Sequence, residues 1–236
     1  MDAAEMMFAP FGLPDTTLAD IGRRARLRPL NRLDWCFTKK RRAIVHFLYY
    51  GCVREELPDG SVRLWRDMAM FGDWTGESRV PAGSRSMVLT TAGLMLSISR
   101  LDLHEIAGQH PGLFLALGNM SARRLHAAET VYGTRRQVRP ATRVAALLLH
   151  LTEDWRRYQS GGKWRPIDSG VHDYVEGPTQ VDIADALGIS LSSVENALAD
   201  LRREGALAKA SSGPGRTNRL YRITDPAVLK EVASDK

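Results

Sequence analysis

The run from Thr179 to Gly205, TQVDIADALGISLSSVENALADLRREG, constrains the fold of this chain more than any other segment. Ile183, Ala184 and Leu187 fall on one helical face, Gly188 permits a left-handed turn, and Ile189 can plug the corner before a second helix begins. Ser190 stands where a helix cap belongs. Val194, Leu198 and Leu201 recur at about 3.6-residue spacing and so turn inward against the first helix. Leu191, Ser192, Ser193, Glu195, Asn196 and Ala199 are left on the outer side, where a recognition helix presents its first turns to base edges in a major groove. An ordinary helical hairpin has the same period, so the neighbouring segments decide between the two readings.

After Gly205 come two short apolar runs, Leu207 to Ala210 and Leu220 to Ile223, separated by a Ser, Gly and Pro cluster ending in Gly215. This is a hairpin signal, and a hairpin directly after such a helix pair is a wing. It carries Lys209, Arg216, Arg219 and Arg222 with no acid between Leu207 and Ile223, which suits phosphate. Thr179 and Gln180 at the start of the first helix, with Arg202 and Arg203 at the end of the second, complete the candidate nucleic-acid set.

The 236 residues suit one or two domains, and 44% hydrophobic residues with a mean hydropathy of −0.26 predict a well-cored chain in water. No apolar stretch is long enough to span a membrane, and MDAAEMMFAPFG lacks the basic start of a secretion signal, so the expected location is the cytoplasm. Cys36 and Cys52 are too few for an iron–sulfur cluster and are expected to be structural. The net charge of +6 is compatible with a polyanionic partner. Part of it lies in a second basic cluster, Arg23, Arg24, Arg26, Arg28, Arg32, Lys39, Lys40, Arg41 and Arg42, set against Asp34 alone; a solvated face is the favoured reading, with contact to DNA or an acidic protein as the others.

Enzyme motifs are missing. HEIAGQH puts its second histidine six residues after the first, where zinc on one helix face needs a spacing of about four, a place filled here by Gly108. No phosphate-binding GxxxxGK loop, GxGxxG turn or GxSxG elbow occurs, and no catalytic residue is assigned.

From Ile44 to Arg100 short apolar runs punctuated by Gly51, Gly60, Gly72, Gly76 and Gly83 predict strands and tight turns. Helical spacing starts near Leu101, breaks at His110, Pro111 and Gly112, and resumes as a long helix. Its stripe Leu113, Leu117, Met120, Leu125 and Ala128 can serve as a core face or a dimer seam; the seam is favoured, because a homodimer sets two recognition helices about 34 Å apart on an inverted repeat. The segment Thr152 to Pro178 reads as a loop or short hairpin, with Trp155, Trp164 and Tyr174 packed under the winged helix.

A glycine-punctuated roll, a long helix carrying ARRL, the run TRVAALLLHL, and TQVDIADALGIS followed by a wing together resemble the Crp/Fnr superfamily of bacterial transcription regulators. The resemblance covers about Val45 to Ile223 and is strongest in the C-terminal third. It implies an α+β fold: a cyclic-nucleotide-binding-like β-roll over residues 1–112, a dimerisation helix over 113–138 and a winged helix-turn-helix over 139–236. It implies sequence-specific binding of double-stranded DNA as a homodimer, with RNA polymerase as a further partner. It also implies an effector site, in which Gly76 and Glu77 with Arg85 and Ser86 would hold the ribose and cyclic phosphate of a cyclic nucleotide. The paired hydroxyl residues that meet the base in such members are Ala128 and Glu129 here, so adenine loses its partners. Three readings follow: an effector-gated regulator, an effector-independent regulator of the same family, and a nucleotide-sensing module that binds protein. The recognition helix has Leu191, Ser192 and Asn196 where many relatives carry Arg, Glu and Arg. Leu191 suits a thymine methyl, Ser192 several partners and Asn196 adenine, which implies an operator different from the usual one.

Overall fold

The computed structural model describes residues 3–8, 11–37, 43–66, 69–72, 74–75, 85–133, 138–152, 174–209 and 219–234. Gly76, Glu77, Arg216, Trp155 and Trp164 lie outside the described residues, as do Lys39, Lys40, Arg41 and Arg42.

Helices α1 (Ala3–Phe8) and α2 (Asp15–Arg24) precede eight strands: β1 (Arg26–Asn31), β2 (Trp35–Phe37), β3 (Ile44–Tyr50), β4 (Cys52–Glu56), β5 (Val62–Arg66), β6 (Ala69–Phe71), β7 (Arg85–Val88) and β8 (Ala92–Ser99). The strands form two antiparallel sheets, ordered β1-β8-β3-β6 and β2-β7-β4-β5. Period-two alternation decides what each face meets. Val45, Phe47, Leu96 and Ile98 point outward onto Met7, Phe8, Ile21, Leu103 and Leu117 of the flanking helices, while Leu30, Leu48, Phe71 and Met95 point inward onto Val53, Trp65 and Val88 of the other sheet. The expected roll is therefore present, but α1 and α2 were not foreseen. They have six and ten residues, too few turns for the helical period to stand out.

Helix α3 (Arg100–Gln109) is capped by Ser99, whose hydroxyl accepts from the Asp102 amide. After the break at Pro111 follows α4 (Gly112–Ala127), which continues as a π-helical turn through Tyr132. The expected seam needs correction. Leu113, Leu117, Met120 and Ala128 are buried in the chain's own core, and of the five only Leu125 is exposed. The apolar side chains that α4 leaves to solvent are instead Leu115 at 72%, Leu125 at 61% and Phe114 at 41% exposure.

The C-terminal part comprises α5 (Pro140–Thr152), β9 (Tyr174–Glu176), α6 (Gln180–Leu187), α7 (Leu191–Arg203), β10 (Leu220–Arg222) and α8 (Pro226–Ser234). The described end of the segment read as a loop or short hairpin is strand β9, paired antiparallel with β10 with Val175 opposite Tyr221. One apolar cluster joins this part to the roll: Cys52, Val62, Leu64 and Leu89 pack with Leu148, Val175, Ile183 and Leu198. Gly177 sits at the joint with φ +119°, where a Cβ would come within 3.2 Å of Cys52, Leu89 and Thr90. Among the described residues no helix is long and apolar enough to cross a membrane, and no group of three or more His, Cys, Asp or Glu side chains could hold a metal ion.

Candidate functional site

Helices α6 and α7 form the turn expected from Gly188, which adopts φ 59° and ψ 42° as the left-handed cap of α6. Thr179 caps the other end in a reciprocal box. Its hydroxyl accepts from the Asp182 amide at 3.1 Å, and Asp182 Oδ2 accepts from the Thr179 amide at 2.8 Å. Ser190 caps α7, accepting from the Ser193 amide at 3.1 Å, and its hydroxyl lies 2.9 and 2.8 Å from those of Ser192 and Ser193. Val194, Leu198 and Leu201 are buried, whereas Leu191, Ser192, Glu195, Asn196 and Ala199 are exposed and Ser193 half-buried. The start of α7 is thus fixed by a serine cap, and its outer face stays open.

Cations occur at the end of α7 and at the base of the wing. Arg203 pairs with Asp200 at 2.7 Å, and Arg202 is half-buried with its Nε buried and unpartnered among the described residues. The wing base is closed by the Leu207–Ile223 bridge and by the Ala208 amide donating to the Arg222 carbonyl at 2.9 Å. Lys209 and Arg222 are exposed there and Arg219 is half-buried.

Two arginines absent from the sequence-derived site hold this unit in place. Arg143 on α5 is buried and donates to the Leu187 carbonyl, satisfying the C-terminal end of α6; burial lowers its pKa. Arg54 on β4 reaches across the domain joint to Asp182 at 2.8 Å and Asp185 at 2.9 Å, and also contacts Glu56 at 3.2 Å. Burial works against the Arg54 charge, but hydrogen bonds to Asp185 and Asp182 outweigh it and its pKa is raised. Asp182 therefore serves both the cap of α6 and the sheet of the roll. The only sequence sign of this was two acids, Asp182 and Asp185, with no basic residue nearby in the chain.

The same joint holds His150, whose ring lies 5.8 Å from Trp65 and 6.4 Å from Tyr132, both edge-on. Its Nε2 is buried without a partner among the described residues, and burial lowers its pKa to about 4. The Tyr132 hydroxyl donates to the Leu64 carbonyl at 2.6 Å and accepts from its amide at 2.8 Å; burial pushes its pKa up.

Inside the roll, the effector candidates are split between faces. Ser86 is buried and Arg85 exposed, as neighbours on a strand must be, and Ala128 is buried while Glu129 is exposed. Glu129 thus needs no buried donor. Between strand β4 and the central helix lies an ion pair of the chain's own: Arg124, one turn before Ala128, donates to Glu55, the cross-strand partner of Ser86 on β7. Glu55 also accepts from the Trp65 indole at 2.7 Å, and the Arg124 guanidinium sits 4.7 Å from the Trp65 ring and 4.9 Å from the Phe71 ring.

The second basic cluster is less free than its sequence suggested. Arg24 pairs with Glu105 at 2.7 Å and lies 3.6 Å from Asp102, and Arg23 pairs with Asp20. The hydrogen bond with Arg24 lowers the Glu105 pKa.

A family model of the Crp-like helix-turn-helix domain matches residues 142–232. The sequence matches no curated protein. Among solved structures, FixK2 from Bradyrhizobium japonicum is 21% identical with a TM-score of 0.65, covering 90% of this chain and 98% of its own. A CRP-family transcriptional regulator from Thermus thermophilus is 24% identical with a TM-score of 0.60, over 88% of this chain and 97% of that one. A cyclic nucleotide-binding domain containing protein from Listeria monocytogenes is 16% identical with a TM-score of 0.60, over 94% and 96%. Residues 142–232 are thus a Crp-like helix-turn-helix domain, and the chain as a whole shares the fold of these solved structures.

Proposed function

We propose that this chain is a transcription regulator of the Crp/Fnr type that binds an inverted-repeat operator in double-stranded DNA as a homodimer and does so without a cyclic nucleotide. Leu191, Ser192, Ser193 and Asn196 would meet base edges, and Thr179, Gln180, Ser190, Arg202, Arg203, Arg216 and Arg219 the backbone. The observation that carries the reading is α7 itself: capped at Ser190, buried on one side and open on the other. In this division of labour residues 1–112 form the roll, 113–138 the dimer helix and 139–236 the DNA-binding unit. RNA polymerase is the partner a promoter-bound dimer would meet, and the cytoplasm is where it would meet it.

Independence from a cyclic nucleotide is favoured by the Arg124–Glu55 pair, which bridges the two walls between which such a ligand would lie. The dimer is supported by α4, where Leu115, Gly118, Ala122 and Leu125 follow heptad spacing on its uncovered side. Selection from random duplexes with nucleotide-free protein tests the reading. The expected product is an inverted repeat, with Asn196→Ala relaxing one position of each half-site by about 1–3 kcal/mol. Enrichment of no duplex, with or without nucleotide, would instead favour a protein-binding module. Leu125→Glu should turn the dimer into a monomer by light scattering.

A further inference from the structure

The interior of the roll changes character along its length. On the inward face of the β1-β8-β3 sheet, Leu30, Met95 and Leu48 belong to the dry core, as an inward face requires. Toward the α2 end of β1 the same face turns polar. The register aligns Arg26, Ser97 and His46 in one row across the three strands, and Arg28 stands opposite Met95 in the next. These residues line a cavity of about 580 Å³. Its size falls in the range of small-molecule sites, roughly 300–1,000 Å³.

The buried His46 is met within the chain, whereas Arg26 and Arg28 stay open to solvent on the cavity wall. Ser97 and His46 satisfy each other at 2.8 Å. Arg24, also in the wall, is committed to Glu105 and Asp102. Arg26 has no carboxylate partner among the described residues, and the nearest acid to Arg28 is Asp34 at 3.8 Å, beyond hydrogen-bond reach. Two guanidiniums without a close carboxylate therefore line the cavity, borne by residues two apart on one strand, whose Cα atoms are about 7 Å apart. Two planar guanidinium forks on one wall suit the several oxygens of a phosphoryl group.

We propose that this cavity is a binding site for a small phosphorylated metabolite of about mononucleotide size, with Arg26 and Arg28 holding the phosphate and the apolar side of Met95 beneath the organic part. None of Arg85, Ser86, Ala128 and Glu129 lines the cavity, so it is separate from the effector position implied by the resemblance. It also gives a use to Arg26 and Arg28, which the wing and recognition helix leave unexplained.

Isothermal titration of the full chain with pyrophosphate, 5′-AMP and citrate tests the site. Wild-type protein should bind pyrophosphate and 5′-AMP, with citrate at least tenfold weaker. Arg26→Ala should weaken both phosphate probes about tenfold, and the Arg26→Ala, Arg28→Ala double variant should abolish binding. Because both side chains are exposed, the variants should melt as wild type does. Arg85→Ala should leave the phosphate titrations unchanged. The proposal is overturned if wild-type protein binds neither phosphate probe, if citrate binds equally well, or if Arg85→Ala removes binding that the double variant retains.

Discussion

The helix pair α6–α7 and the β-roll handle polar side chains in opposite ways. In α7 they face outward, where each exposed position is available to a large external surface and the buried positions are uniformly apolar. In the roll they face inward: Glu55, Ser86 and His46 are all buried, and Arg124 is driven between two aromatic rings. The lesson is that one element is built to be read from outside, while the other is built around fixed internal charge. An outward polar face costs little and specifies a partner; a buried polar group is tolerated only if it is met.

The largest expected effect comes from breaking the internal charge on one side only. Arg124→Met leaves Glu55 buried with the Trp65 indole alone, and should cost about 3–5 kcal/mol in denaturant unfolding. Pairing it with Glu55→Leu should recover most of that loss; no recovery would mean that Arg124 acts through its packing on Trp65 and Phe71 rather than through charge.

Next is acid. His150 has a folded pKa of about 4 against an unfolded value of about 6.5, so the unfolded chain takes up the proton first. The neutral ring contributes fully above about pH 6.5, and the contribution is lost as pH falls toward 4, on the order of 3 kcal/mol in all. Its ring touches Trp65 and Tyr132 at the joint, so tryptophan fluorescence should report the loosening. In His150→Phe this pH-dependent component of stability should disappear.

A smaller effect is expected at Arg54. Arg54→Ala strands Asp182 and Asp185 at a half-buried joint, which should lower stability by about 2 kcal/mol and raise amide exchange in α6. The smallest is on the outward side: Ser190→Ala removes one cap and should cost about 1 kcal/mol while leaving the roll untouched.

The same contrast explains what was legible beforehand. The cap at Ser190, the left-handed Gly188 and the buried Val194, Leu198 and Leu201 are local, with caps, turns and helical period all falling within a few residues, and the structure places them as the sequence implied. Arg54–Asp182 spans 128 positions and Arg124–Glu55 spans 69; neither has a local period that could announce it. The α4 stripe failed for a related reason. Leu113, Leu117 and Met120 were read correctly as one apolar face, but the spacing alone does not say whether that face meets a second chain or, as here, α1–α3 and the sheet. Leu125 was grouped with that buried stripe and Leu115 was passed over, because Gly118 and Ala122 between them weaken the apolar signal of the uncovered face.

The central claim is that α7 reads DNA while the cyclic-nucleotide position beside Ser86 and Ala128 is taken by the chain's own Arg124–Glu55 pair. The most direct test is fluorescence anisotropy of nucleotide-free protein on genomic fragments across a salt series, with and without cyclic AMP and cyclic GMP. Tight binding that falls steeply with salt and is unchanged by either nucleotide is the predicted result. Binding that appears only when a cyclic nucleotide is added would contradict it.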